Sequence, residues 1–544
     1  MIIPKTYEHR PGTGRFVLED GMTVAVDSSE LRDVAEGFAN ELRADTGIRL
    51  RVTRDPSLPA ALRVRLGDLG LDELPRSRGR RADSLASADE RHGLRVDDDG
   101  VVVWGPGPEA VYRGLTSLRQ LVAATFTEGA ARIPTLSIRD VPDYSWRGLA
   151  LDVARTFHDV DTVKRVIDML ALYKFNVLHL HLTDDQGWRL DIPGWPRLLT
   201  VGAVGAADGR TGGFYTRADI AELVEYAADR FVTVVPEVDM PGHSAAAIRS
   251  YPELGPAPEG HSGAVYLDPA ADRTWSFVED VVAVLADQFK TSAFVHIGGD
   301  EAFGMRAEDH IAFLERAAAI VRERRKDVIG WQEMARATIS SGETVQYWMS
   351  LTEVDEMLGS QRLEALIPPE FVDVVRENLE RGRTDLQRAL ASGANIIASP
   401  TSRFYLDRPF ADSALDPSHE DARSRLGMPA YTPTSVEDGV NWEIEDELPG
   451  VDPDAQLVGF EGAVWCETVT GRDDLELLLL PRLAGVGERS WRALDRADWP
   501  DYRQRLATHS RVWNARGWNW FTASSIPWID APGGPHQDLT PEKR

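Results

Sequence analysis

Phe294-Val295-His296-Ile297-Gly298-Gly299-Asp300-Glu301 is an apolar run that ends in two glycines and then presents two adjacent carboxylates. Residues 293–297 have the character of a short buried strand, and the glycines let a backbone or a ligand approach closely. Neighbouring acids repel, which raises the proton affinity of at least one of them. A carboxylic acid kept protonated near neutral pH is what a general acid must be. Alone, the pair also fits a helix N-terminus, where Asp and Glu are common. The flanking sequence decides.

The strand is one of a series. From about residue 146 onward, candidate strands fall at 148–153, 177–182, 232–236, 293–297, 328–331, 344–348, 395–398 and 458–464. Helical periodicity fills most of the gaps, at 162–173, 217–230, 274–289 and 309–324. Eight strands alternating with helices over roughly 350 residues predict a (β/α)8 TIM barrel with insertions. An open doubly wound sheet is the alternative, but no glycine-rich phosphate loop follows the first strand. The barrel is assigned to residues 141–524, with a helical insertion near 351–392 and a long polar loop at 411–456. Residues 525–544 read as a loosely held C-terminal tail.

Residues 1–140 have a different pattern and predict a small α+β sheet domain. Strand-like pieces at 23–26, 48–52 and 62–66 surround a helical stretch at 30–45. A hairpin over 95–103 is followed by a helix at 110–124, and 76–91 is polar enough to read as a surface loop.

Composition narrows the partners. The chain has 544 residues, 43% hydrophobic and 27% charged, with 60 basic against 87 acidic side chains and a net charge of −27. That balance argues against nucleic acid, anionic membrane or a strongly anionic polymer as partner. The single cysteine, Cys466, excludes an intrachain disulfide framework and thiolate zinc clusters and reads as a small buried hydrophobe. No apolar stretch reaches membrane-spanning length. The start, Met1-Ile2-Ile3-Pro4-Lys5, lacks the features of a secretory signal, so the cytoplasm is the expected compartment. Fifteen tryptophans supply flat apolar rings suited to sugar faces.

In a barrel the chemistry sits where strands end. Strand one ends in Ala154-Arg155, and strand two runs into Thr183-Asp184-Asp185-Gln186-Gly187-Trp188. Strand three ends in Glu237-Val238-Asp239-Met240-Pro241-Gly242-His243, and strand four in Asp300-Glu301. Strands five to eight supply Trp331, Tyr347-Trp348, Tyr405-Leu406-Asp407 and Trp465-Cys466-Glu467. One Arg, one His, several carboxylates, a Tyr and three Trp at one rim make a pocket for a neutral, hydroxyl-rich ring.

In their order these motifs, together with Leu151-Asp152-Val153 and His179-Leu180-His181-Leu182, resemble the family 20 glycoside hydrolases, the β-N-acetylhexosaminidases. The resemblance covers about residues 1–520, including the leading domain. Its departure is the 351–392 insertion, which is longer than usual between those two strands and bears on leaving-group preference.

The resemblance implies a retaining, exo-acting enzyme in which the substrate's own 2-acetamido oxygen is the nucleophile, forming an oxazolinium. Glu301 would then be the acid and base, Asp300 would hold the acetamido N–H, and Tyr405 its carbonyl oxygen. Asp184 and His243 would form a relay to Glu301, with Asp184 chosen over Asp185 by the family pattern. Trp331, Trp348 and Trp465 would wall the acetamido pocket, and Arg155, Asp407 and Glu467 would bind hydroxyls. The expected partner is a small oligosaccharide or glycoconjugate; no cofactor and no metal are implied, and oligomeric state is left open.

Two other readings compete. His179, His181 and His243 with Asp184 and Asp300 also suit a metal-dependent barrel hydrolase, although such a site needs neither the Asp–Glu pair nor three tryptophans. A related enzyme releasing disaccharide units is the second. His179 and His181 read better as core histidines on one strand face, Glu237 and Asp239 read equally as rim buttresses, and Trp146, Trp491 and Trp513 read as packing.

Overall fold

The computed structural model describes residues 1–530 apart from 56, 84–88, 257–264, 360–362, 365–368 and 497. The leading unit contains β1 (Glu8–Glu19), β2 (Thr23–Val26), α1 (Arg32–Thr46), β3 (Arg51–Thr53), β4 (Leu62–Leu66), β5 (His92–Asp97), β6 (Gly100–Gly105), α2 (Pro108–Thr125), β7 (Phe126–Thr127) and β8 (Ala130–Asp140). The sheet order is β1-β8-β5-β6-β4-β2-β3, with β7 paired to β8. The hairpin β5–β6 forms over Asp97–Gly100, as the Asp-Gly turn dictates. The long antiparallel pair β1–β8 was not expected, because exposed polar residues interrupt its apolar alternation.

Helix α2 is buried on nearly every side. Val111, Leu115, Leu118 and Val122 pack in the sheet domain's core, while its other side meets the barrel. There Gln120 donates to the Leu172 carbonyl at 2.6 Å and Arg113 to those of Phe175 and Phe231, both at 3.1 Å. A helix with no wet face is a helix between two bodies.

The barrel strands are β9 (Trp146–Asp152), β10 (Val177–His181), β11 (Thr233–Glu237), β12 (Phe294–His296), β13 (Asp327–Trp331), β14 (Thr344–Tyr347), β15 (Asn395–Ala398) and β16 (Leu457–Val464). They close in that order, β16 pairing parallel with β9. All eight expected strands are present. Helices α3 (Val160–Leu172), α4 (Arg217–Ala228), α5 (Ala245–Ser250), α6 (Asp272–Gln288) and α7 (Ala307–Glu323) follow the early strands, whereas β13 and β14 are joined only by a short turn at Gln332–Arg336. The insertion after β14 is helical as expected: α8 (Leu351–Gly359), α9 (Pro369–Gly382) and α10 (Asp385–Ser392), with 360–362 and 365–368 outside the described residues.

The barrel interior is charged rather than aliphatic in its middle layers. His179 bonds Glu461 at 2.8 Å, His296 bonds Glu237 at 3.0 Å, and Trp146 donates to Glu461 at 2.8 Å. Burial opposes charge on His179, but Glu237 and Glu461 outweigh it and raise its pKa to about 10. His179 with Glu461 and Glu237 is thus a core ion pair, whereas burial keeps His296 toward its neutral form.

Three expectations need correction. The segment 76–91 is not simply a surface loop: Arg81, Glu90 and Arg91 are buried, because Glu90 meets Arg147 of the barrel and Arg113 of α2; residues 84–88 lie outside the described residues. The polar stretch 411–456 is anchored by buried Val436, Val440, Trp442 and Leu448. The tail is not loose throughout, since Ile526, Trp528 and Ile529 are core residues and Trp528 packs edge-on against Trp513 and tilted against Trp520; residues 531–544 lie outside the described residues.

Candidate active site

The Gly298-Gly299 turn has a local cause. Both residues have left-handed φ (68° and 103°), and a Cβ at Gly298 would collide with the Asp239 carboxylate. The Gly299 N–H donates to that carboxylate at 3.1 Å. Glu301 follows at φ 46° and His243 sits at φ 48°, backbone conformations that L-residues hold only where surroundings enforce them. The turn therefore aims Asp300 and Glu301 into the space above β12.

His243 lies between the acids. Its Nδ1 is 3.2 Å from Asp184, and its Nε2 is 3.6 Å from Asp300 and 3.5 Å from Glu301. Burial opposes its charge, but Asp184 and Asp300 prevail and raise its pKa well above the ordinary histidine value. Asp184 also takes Arg155 at 2.6 Å and His181 at 3.0 Å. Burial works against ionisation there, yet Arg155 and His243 hold it well below the ordinary range. Asp185 turns away to accept the Ala245 N–H, so the structure puts Asp184, not its neighbour, on His243.

The proton affinities depart from the expectation drawn from the Asp–Glu adjacency. Asp300 is not raised: burial pushes it up, but His243 and a hydrogen bond from Asp239 bring it below the usual value. The acid pushed far up is Asp239, first by burial and then by Asp300. Of these two facing acids, Asp239 is the one whose surroundings favour the protonated form and Asp300 the one whose surroundings favour the ionised form. Through-space neighbours outweigh the sequence neighbour.

Aromatic residues form the walls. Trp331 is fixed by donation from Nε1 to Glu237 at 2.8 Å, and Trp348 by donation to Glu333 at 3.2 Å. Trp465 lies 5.9 Å from Trp331 and 6.0 Å from Tyr405, ring centre to ring centre. Arg155 stacks 5.2 Å over Trp465 and lies 3.9 Å from Glu467. Asp407 is buried beside the Trp465 backbone, and Asp300 Oδ1 has no hydrogen-bond partner among the described residues. Burial, then Glu467, raises Asp407 well above the usual carboxylate range. Buried acceptors without partners are costly unless a ligand donates to them.

All eleven residues nominated from sequence line this one cavity of about 470 Å³. His181 and Asp239 share it, so Asp239 is more than a buttress, whereas Glu237 lies beneath as the common acceptor for His181 and Trp331. Sequence reading missed three contributors. Tyr431 packs edge-on against Tyr405 at 6.0 Å, and its signal was only one aromatic within a polar loop. Glu333 lies two residues after Trp331. The apolar residues of α8 and α9 carried no motif at all. The grouped His and Asp atoms fall close enough to suggest a cation site, but Asp184 is taken by Arg155, His181 and His243, and Asp300 by Asp239 and His243. Asp184 is thus spent on a guanidinium and two imidazoles, and the Asp300 Oδ2 atom faces an imidazole.

A closed (β/α)8 barrel with carboxylates, a charged imidazole and aromatic walls at its C-terminal rim defines a glycoside hydrolase. Residues 144–494 match the model for the catalytic domain of glycosyl hydrolase family 20, and residues 1–141 that for the family's domain 2. The chain belongs to glycosyl hydrolase family 20. It is 34% identical over 531 residues to a β-N-acetylhexosaminidase of Cellulomonas fimi, covering 95% of each chain. It superposes with TM-score 0.80 on a mutant Streptomyces plicatus β-hexosaminidase in complex with its product GlcNAc, at 33% identity and 97% coverage of both chains. A β-N-acetylhexosaminidase from Streptomyces coelicolor gives the same TM-score at 34% identity, covering 97% of this chain and 98% of that one.

Proposed function

We propose that this cavity removes single terminal β-linked N-acetylhexosamine residues by substrate-assisted catalysis with retention. The observation that carries the reading is the unpartnered Asp300 oxygen among Trp331, Trp348 and Tyr405, beside Glu301. Asp300, kept ionised by His243 and by a hydrogen bond from Asp239, accepts the acetamido N–H. The Tyr405 hydroxyl, which burial keeps protonated, donates to the acetamido oxygen and aims it at the anomeric carbon. That oxygen attacks while Glu301 gives its proton to the leaving oxygen; the glycosidic bond breaks and an oxazolinium forms. Asp300 balances its positive charge. Water then attacks the anomeric carbon, Glu301 takes its proton, and the ring opens to product. A tethered and oriented nucleophile is worth up to ~7–11 kcal/mol. Retention by a nucleophilic carboxylate would require a second acid across the bond, about 5–5.5 Å from the first.

Arg155, Asp407 and Glu467 bind the hydroxyls farthest from the scissile bond. With Asp407 buried and Arg155 locked on Asp184, that end of the pocket is closed, which supports exo action on small oligosaccharides or glycoconjugates. The test is early product from an N-acetylglucosamine tetramer. Monomer and trimer should appear together; abundant dimer before monomer would overturn exo action by single residues.

A further inference from the structure

The substrate cavity is larger than the sugar site described above, and the additional wall is apolar. It is made by Met349, Val354, Met357, Val375 and Leu379, from the end of β14 and the facing sides of α8 and α9. These side chains are buried or half-buried. Glu353 does not make the wall polar, since its carboxylate is bound by Arg408 and Thr401. Arg408 in turn lies 5.1 Å over the Tyr431 ring, so the apolar wall continues into Tyr431.

Topology says which end of the substrate meets this wall. The hydroxyl-binding Arg155 and Glu467 follow β9 and β16, which are neighbours in the closed barrel. The acid Glu301 follows β12, across the ring of strands from them, and the insertion follows β14, two strands on from β12 and two short of β16. A sugar held by its far hydroxyls over β9 and β16 directs its anomeric bond away from them. Its leaving group therefore enters the sector of β12–β14, where the insertion stands.

We infer that the α8–α9 insertion builds a leaving-group subsite for an apolar aglycone, an alkyl or aryl group rather than a second sugar. The inference rests on the proposed function, because it takes Arg155 and Glu467 as the hydroxyl grip. A second pyranose would need polar groups to receive its hydroxyls; among the described residues of this wall Glu353 is committed to Arg408 and Thr401, and the other carboxylate, Glu356, is exposed. Family membership fixes the reaction; these five side chains select what is released.

The experiment compares methyl, butyl and octyl β-N-acetylglucosaminides, whose leaving alcohols have nearly equal acidity, so that differences report binding rather than reactivity. Burying methylenes strengthens transition-state binding, and kcat/KM is expected to rise about fiftyfold from methyl to butyl when all three added methylenes are buried. In Leu379→Gln and Met357→Gln the octyl-to-methyl ratio should fall toward one, while Leu379→Met retains it; a melting curve accompanies each variant. A flat alkyl series in the native enzyme overturns the inference and leaves the hexosaminidase reading intact. So does faster turnover of N,N'-diacetylchitobiose than of the octyl glycoside, which would give the subsite to a sugar. Failure on every N-acetylglucosaminide would remove both.

Discussion

His243 connects the parts of the catalytic arrangement, because a single charged imidazole faces Asp184 on one side and both Asp300 and Glu301 on the other. The proposed consequence is a division of labour between neighbours in sequence, with Asp300 holding the acetamido group and Glu301 serving as acid and base. Glu301→Gln should cost roughly 10²–10⁴-fold on a disaccharide and much less on a nitrophenyl glycoside, whose leaving group needs no proton. Equal proportional loss on the two would mean that Glu301 is not the acid. Glu333, which orients Trp348, gives a pH signature of its own. Burial first, then Asp300 and Asp385, raise it from 4.5 to about 8 against the opposing Arg336. The folded protein thus holds a proton that the unfolded chain has released, and stability falls as pH rises from about 4.5 through about 8. Glu333→Gln lacks that titration, so its melting temperature should gain on the native protein's across this range; parallel curves would contradict the assignment. The residues with ring, charge or acid at a strand end were legible in sequence because strand ends are where a barrel places chemistry. The raised proton affinity of Asp239 and the Tyr431 edge were not, since each depends on a contact between segments distant in the chain.

At the scale of elements, the eight strands were readable because a buried parallel strand is a short continuous apolar run. β1 and β8 were not, because a half-exposed strand dilutes that signal with arginines and a glycine bulge. The insertion was legible as helix, but its attachment was hidden in three ordinary polar residues. Arg336, in the turn after β13, binds Asp385 of α10 at 2.7 Å and Asn378 of α9 at 2.7 Å. This buried clamp holds the apolar wall against the barrel. Asp385→Ala leaves a guanidinium buried without its counter-charge and should cost about 3–5 kcal/mol. Replacing both partners by apolar side chains, Asp385→Leu with Arg336→Met, should recover most of it, because the stranded charge is then gone. A double variant as unstable as the single one would show that shape rather than charge holds the clamp.

For the whole molecule, the sheet domain and the barrel are joined through buried charge. Glu90 receives Arg147 at 2.5 Å, Arg113 at 3.1 Å and Arg81 at 3.3 Å, and all four side chains are inaccessible or nearly so. Burial alone would raise Glu90, but the three guanidinium groups lower it to about 2, so its contribution is present above pH 4.5 and is lost as pH falls toward 2. Glu90→Gln should remove about 3–5 kcal/mol and lower a single melting transition shared by both domains. Two separated transitions would mean that the sheet domain is an independent appendage. The barrel thus stands on a charged base and presents at its opposite rim a pocket whose nucleophile comes with the substrate. That last claim is tested most directly by kcat/KM for nitrophenyl β-N-acetylglucosaminides carrying zero to three fluorines on the acetyl methyl. Fluorine drains electron density from the amide oxygen without changing the leaving group. The rate should fall steeply with each fluorine; a flat series would show that a protein carboxylate or a bound water, not the acetamido oxygen, attacks the anomeric carbon.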